Sequence, residues 1–248
     1  MRLLYAEALK VRTAPRTLIG LALGLVALAV LGAGSTASSG PSETPEGDAI
    51  ATWDVLSVAT TGVIFSLILG ILVVTWEYRH GTITQTFLAT PRRERVLGAK
   101  FVVALVSGVL LAVLCVVVVL VTATFWISLD LRREHWELIA RIVLACALWG
   151  LLGAGLGALL QSQVGALVVV FVWFLVAEPL IAAQFDHFAD YLPGNTLNRL
   201  TQHGAVEGVE QNGEDYSFGL WAAAFIAGAY ALGVAALGTV SALKRDIN

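Results

Sequence analysis

Few side chains in this 248-residue sequence have the means to do bond chemistry, and their spacing is poor for it. Asp186, His187 and Asp190 are close enough along the chain to hold a metal ion or pass a proton. His80, His135 and His203 stand alone. There is no H-E-x-x-H and no G-x-S-x-G. There is also no G-x-x-x-x-G-K-[ST] phosphate loop, so any ATP chemistry must come from another chain. Cys115 and Cys146 lie inside apolar runs, where a free thiol behaves as a small hydrophobe. No disulfide framework or metal spacing is present. Glu178, followed by Pro179, is the ionisable residue beside a long apolar run. Such a group is costly near hydrocarbon and often functional, and Pro179 frees a backbone carbonyl and can bend the chain. Two readings stand for Glu178: beside a transport path or gate, or among lipid headgroups with a basic partner.

The elements that must position these groups follow from composition. Apolar residues make up 58% of the chain and charged residues only 13%, against roughly a quarter in ordinary soluble domains. That excludes a disordered chain and a nucleic-acid-binding protein. The charges cluster, leaving uncharged runs of 22 residues after Asp54, 29 after Lys100, 36 after Arg141 and 28 after Asp215. A helix needs about 20 apolar residues to cross the hydrocarbon core. The runs are continuously apolar, unlike the alternation of a membrane β-barrel. The expected fold is therefore an all-α integral membrane protein forming a single domain over residues 1–248. Its six spans run from about Thr17 to Gly34, Trp53 to Trp76, Val96 to Ile127, Leu138 to Leu160, Val164 to Ile181 and Phe218 to Leu243. Gln161-Ser162-Gln163 divides the longest run into the fourth and fifth. The first span is read as a retained helix, because the polar lead through Arg16 is long for a signal peptide.

Basic residues orient the bundle. The first segment, the loop after the second span and the C-terminal tail hold eleven of the fifteen Lys and Arg. The other side has Arg132, Arg133, Arg141 and Arg199. Both termini are thus expected in the cytoplasm, with the chain in the cell membrane. Ser35 to Asp48, rich in Ser, Pro, Gly and acids, reads as a solvated outer loop. Ala182 to Ser217 is long for a connection. Phe185, Phe188 and Leu192 recur there at helical spacing before Pro193-Gly194 breaks the run, and Leu197 and Leu200 follow. Two short interfacial helices fit that pattern.

Met1 to Thr13 has the makings of an amphipathic helix on the inner surface, with Leu4, Ala8 and Val11 on one face and Glu7 and Lys10 on another. An ordinary basic flank explains it equally well. Between Glu77 and Lys100, Gly81 frees the chain and Thr82 with Gln85 forms a capping-box pattern. Ile83 and Phe87 share a face. Thr90-Pro91 stops and restarts a helix, and Arg92, Arg93 and Arg95 follow at headgroup level. A short helix, Thr82 to Ala89, set between two bends would act as a lever on the second and third spans; a plain connector with anchoring arginines is the alternative. Gly20 and Gly24, and Gly153 and Gly157, form G-x-x-x-G pairs that let backbones approach closely in lipid. They suit a dimer seam or packing within one bundle.

The string from Trp76 through Glu77, Gly81-Thr82, Phe87-Leu88 and Pro91-Arg92-Arg93 to Lys100 resembles the first cytoplasmic loop of ABC-type-2 transporter permeases. Glu7-x-x-Lys10-x-Arg12-Thr13 is similar to their lead-in, and Glu178-Pro179 with Tyr191-Leu192-Pro193 and Leu197 to their segment after the fifth span. The resemblance covers essentially the whole chain. It implies the membrane subunit of an ATP-driven transporter, usually an exporter, and no enzyme in its own right. ATP and magnesium would be bound by a separate ATPase, in two copies, docking on a coupling helix. For that contact the resemblance implies Glu77, Gly81, Thr82, Ile83, Gln85, Phe87, Leu88, Pro91, Arg92 and Arg93. It implies a gate or path near Glu178, Pro179 and Pro193, and a second permease copy, identical or different, facing the first among membrane lipids. The apolar walls favour a lipid-like, drug-like or otherwise amphipathic cargo. This chain departs from the pattern at Gln161 to Val164, a loop too short to offer much to a second ATPase contact. A membrane-embedded enzyme and a non-transporting scaffold are the rival readings. An ion-driven transporter is disfavoured by the absence of charge from the helix centres.

Overall fold

The computed structural model describes residues 15–38, 45–82, 93–129, 131–201 and 219–244, together with Glu7 and Leu9. These residues are mostly helical, with no strand among them. Among the described residues six helices are long and apolar enough to cross a membrane: Thr17–Ala37, Ala51–Arg79, Glu94–Ala123, Arg133–Leu160, Gln163–Gln184 and Leu220–Lys244. The uncharged runs dictate them, since a backbone in hydrocarbon must satisfy its own hydrogen bonds. Consecutive spans run in opposite directions. One end of the bundle carries Glu77, Lys100 and Gln163, and the opposite end carries Trp53, His135 and Gln184.

The fourth span is the centre of the bundle. Of its most apolar stretch 67% is buried, against 11% for the fifth span. Its burial depends on glycines that admit neighbouring backbones. A Cβ on Gly153 would collide with the Leu67 carbonyl of the second span, and one on Gly157 would lie 3.0 Å from the Ile71 carbonyl. On another side, a Cβ on Gly155 would lie 2.7 Å from the Ala235 nitrogen of the sixth span. Gly150 meets the third span in the same way, at the Ala104 carbonyl. The Gly153 and Gly157 pair is therefore a seam within one chain. Of the first-span pair, Gly24 faces the Phe65 ring and Gly20 faces open space.

The helices outrun several sequence expectations. The segment expected as an outer loop, Ser35 to Asp48, is helical at both ends. The first helix continues to Ala37, where the Ser35 and Thr36 hydroxyls donate to the Gly32 carbonyl. A new helix starts at Pro45, because a proline opens a helix well. It leads through a 3₁₀ turn, Val58–Thr61, into Gly62–Arg79. The third span ends at Ala123 rather than Ile127. The fourth begins at Arg133 rather than Leu138. There His135 Nδ1 accepts the Arg132 N–H at 3.0 Å, so a polar turn extends the apolar helix. His135 thus lies in the first turn of a span. It is 1% exposed and packs against the Trp53 ring at 5.8 Å, although the expected fourth span, from Leu138, left it outside.

The second span ends as its sequence suggests. Gly81 has φ +68°. The Thr82 N–H donates to the Glu77 carbonyl and the Gly81 N–H to the Tyr78 carbonyl, which is the Schellman arrangement. The fourth-to-fifth connection is equally tight. Gln161 takes the left-handed conformation at φ 53°, and the Ser162 hydroxyl caps the Gly165 N–H.

Candidate functional site

Two buried carboxylate centres stand out, one near each end of the bundle. The first joins three segments. Lys100, in the second turn of the third span, is 1% exposed. Its Nζ lies 2.8 Å from Glu7 Oε2 and 3.2 Å from Glu77 Oε2, and both acids are buried. Desolvated charges persist only when paired in good geometry. The lysine therefore fastens the N-terminal segment to the end of the second span and the start of the third. Glu7 was expected on the polar face of a surface helix. Its carboxylate instead points into the protein while Leu9 is exposed, because its partner comes from 93 residues away and no local periodicity reports it. Beside this centre, Arg79 donates to Gln163 Oε1 at 3.0 Å, tying the second span to the fifth.

Of the residues expected to meet an ATPase, Glu77, Gly81 and Thr82 close the second span, and Arg93 opens the next helix. Ile83, Gln85, Phe87, Leu88, Pro91 and Arg92, and with them the body of the expected 82–89 helix, lie outside the described residues. So does the N-terminal segment apart from Glu7 and Leu9.

The second centre is Glu178. It lies inside the fifth helix, which continues to Gln184 rather than ending at the expected Ile181. The reason is local. Trp173–Ala177 forms a π turn in which the Glu178 N–H reaches the Trp173 carbonyl. That wider turn accommodates the ring and missing N–H of Pro179, and the helix passes through.

Among the described residues Glu178 also has no basic partner. Its Oε1 accepts the Gly194 N–H at 2.6 Å and the Asn195 N–H at 3.1 Å. A carboxylate thus caps the start of the nine-residue helix Pro193–Thr201, where free N–H groups and the helix dipole favour negative charge. Pro193-Gly194 was expected to break a run; Pro193 instead opens this helix. Leu197 and Leu200 then face the core. The Tyr230 hydroxyl donates to the Tyr191 carbonyl at 2.9 Å. Tyr230 lies about 15 Å along the sixth helix from Leu220 at 1.5 Å per residue. The 185–201 segment therefore sinks well below the helix ends.

A cleft of about 520 Å³ adjoins Glu178 between the second, fourth and fifth spans and the Pro193–Thr201 helix. Its walls include Leu67, Trp149 and Phe174, with Glu178, Asn195 and Asn198 as its polar residues. Gly194 and Asn195 were not anticipated as site residues. The dipeptide Pro193-Gly194 was the available signal, read as a break rather than a helix start. No family model matches the chain, and no curated protein matches it significantly.

Proposed function

We propose that this chain is the permease subunit of an ATP-binding cassette transporter of the ABC-type-2 kind, an exporter of amphipathic cargo driven by a separate ATPase. The observation that carries the reading is the Glu7–Lys100–Glu77 contact. A coupling loop must pass force to the helices on either side of it. Here the two helix ends that flank residues 83–92 share one buried lysine, and the N-terminal segment is fixed to the same point. A push on the loop or on that segment is felt by the second and third spans together. The rigid Schellman turn at Gly81 removes slack at the loop's start.

In this reading two copies of the chain face each other in the cell membrane, with both termini in the cytoplasm. Two ATPase subunits bind magnesium and ATP and dock on residues 82–89. ATP-driven closure of the ATPases rocks the second and third spans. The polar segment around Glu178 to Leu200 then opens at the other side.

The test is co-expression with candidate ABC ATPase subunits from the same genome. Ile83→Asp and Phe87→Asp together should abolish co-purification of the ATPase and ATP-dependent transport in proteoliposomes. Retention of both would overturn the reading, as would full transport by the purified chain alone without nucleotide.

A further inference from the structure

We infer that the cleft beside Glu178 is a binding site for a single-chain amphiphile bearing a cationic amine head. The argument starts from one oxygen. Glu178 is 6% exposed, and its Oε1 is saturated by the Gly194 and Asn195 N–H groups. Its Oε2 is fully buried and has no hydrogen-bond partner. The Trp173 indole interacts with the same carboxyl group, but among the described residues no donor reaches Oε2 in hydrogen-bond geometry. A buried carboxylate oxygen left without a donor is costly, and the residue that carries it lines a cavity.

The cavity supplies the rest of the chemistry. Its volume of about 520 Å³ lies within the range of small-molecule sites, roughly 300–1,000 Å³. Among the described residues no Lys or Arg lines it, so the positive charge that would match Glu178 is taken to arrive with the ligand. An anion would face an uncompensated carboxylate, and an alcohol would satisfy the oxygen but not the charge. An ammonium group does both, in the short and strong form of hydrogen bond. The remaining wall is mainly aliphatic and aromatic and suits one alkyl tail. Entry is sideways, past Ile64 and Leu175, which line the cleft and are 59% and 68% exposed.

Binding here does not rest on the proposed export function; only the identification of this ligand with the cargo does. The test therefore uses the purified full chain in phosphatidylcholine nanodiscs, with no ATPase and no nucleotide. The probe is dodecylamine carrying a photoreactive diazirine in its tail, with adducts mapped by mass spectrometry. Adducts should fall on cleft residues. Dodecylamine should compete at about tenfold lower concentration than dodecanol or dodecanoate, the difference between a charge-assisted and a neutral hydrogen bond. Glu178→Gln, whose amide can still cap Gly194 and Asn195 through its oxygen but turns an N–H₂ toward the head, should erase that preference. Ile64→Trp fills the mouth of the cleft from an exposed position, leaves the carboxylate untouched, and should suppress labelling.

Equal competition by dodecanol, an undiminished preference for the amine in Glu178→Gln, or adducts outside the cleft would each overturn the proposal. Loss of labelling on adding phosphatidylethanolamine to the nanodisc would overturn it too, by making the occupant a membrane lipid. None of these results touches the transport reading, which the ATPase co-purification decides.

Discussion

Lys100 and Glu7 stand 93 residues apart in sequence, yet their side chains meet at 2.8 Å with almost no solvent on either. The pair turns a chain terminus into a structural member. It follows that Lys100→Met should be damaging, since it strands Glu7 and Glu77 as buried acids. Removing one partner of a buried ion pair costs about 3–5 kcal/mol. The variant should unfold at clearly lower temperature in detergent, and Lys100→Arg should recover part of the loss. Protease cleavage ahead of Pro15 should also speed up in Lys100→Met. An unchanged melting curve and cleavage rate would mean that the lysine does not hold the terminus.

Gly194 and Glu178 make the second long-range prediction. A Cβ at position 194 would stand 2.6 Å from Glu178 Oε1 and 2.9 Å from its carboxyl carbon. Gly194→Ala must therefore push the carboxylate off the helix start, leaving the Gly194 and Asn195 N–H groups without their acceptor. Each buried group left unsatisfied costs about 1–3 kcal/mol. Hydrogen exchange over residues 193–201 should accelerate in Gly194→Ala while the fourth span stays protected. Asn198→Ala, on the same helix but outside the cap, should leave exchange at residues 194 and 195 at the wild-type rate.

These two contacts also mark what the sequence could and could not disclose. The six spans were legible because uncharged runs longer than twenty residues have few other solutions. The Gly81 turn was legible because only a few residue types accept a positive φ. Helix ends were less so. Pro45 and Arg133 start helices in polar stretches, where hydropathy is silent and capping decides. Glu178 was noticed as an oddity, but its role was hidden. Whether Pro179 ends a helix or is absorbed by a π turn depends on packing, and the cap on Gly194 depends on a fold-back across 16 residues. The burial of Glu7 was not legible for the same reason, because burial of a charge follows from a distant partner and not from local pattern.

The glycine seams separate two motifs that look alike on paper. Gly153→Ala would drive a methyl into the Leu67 backbone carbonyl, which cannot rotate away, whereas a methyl on Gly20 meets nothing within 4 Å. Overpacking of this kind costs about 1–3 kcal/mol. Thermal unfolding in detergent should show a marked loss for Gly153→Ala and none for Gly20→Ala. Gly20→Leu adds a sharper question. It should leave the monomer's melting temperature alone, and any fall in the dimer fraction on cross-linking would assign the Gly20 face to contact between copies. If Gly153→Ala melts like the parent, the fourth span is not seated against the second as described.

Eleven basic residues against four predict the direction in which the bundle crosses the membrane. The spans alternate, so one reporter fixes them all. A periplasm-active reporter fused after Ser39, between the first and second spans, should be active, and one fused after Ala89, between the second and third, should be silent. A cytoplasm-active reporter should give the opposite pair. Moving charge ought to matter more at the Ala89 side, because short loops rich in Lys and Arg dominate insertion. Replacing Arg92, Arg93 and Arg95 together with Gln should therefore yield a mixed population by the same reporters. A silent fusion after Ser39 paired with an active one after Ala89 would reverse the bundle, move residues 82–89 away from any cytoplasmic ATPase and remove the physical basis of the proposed coupling.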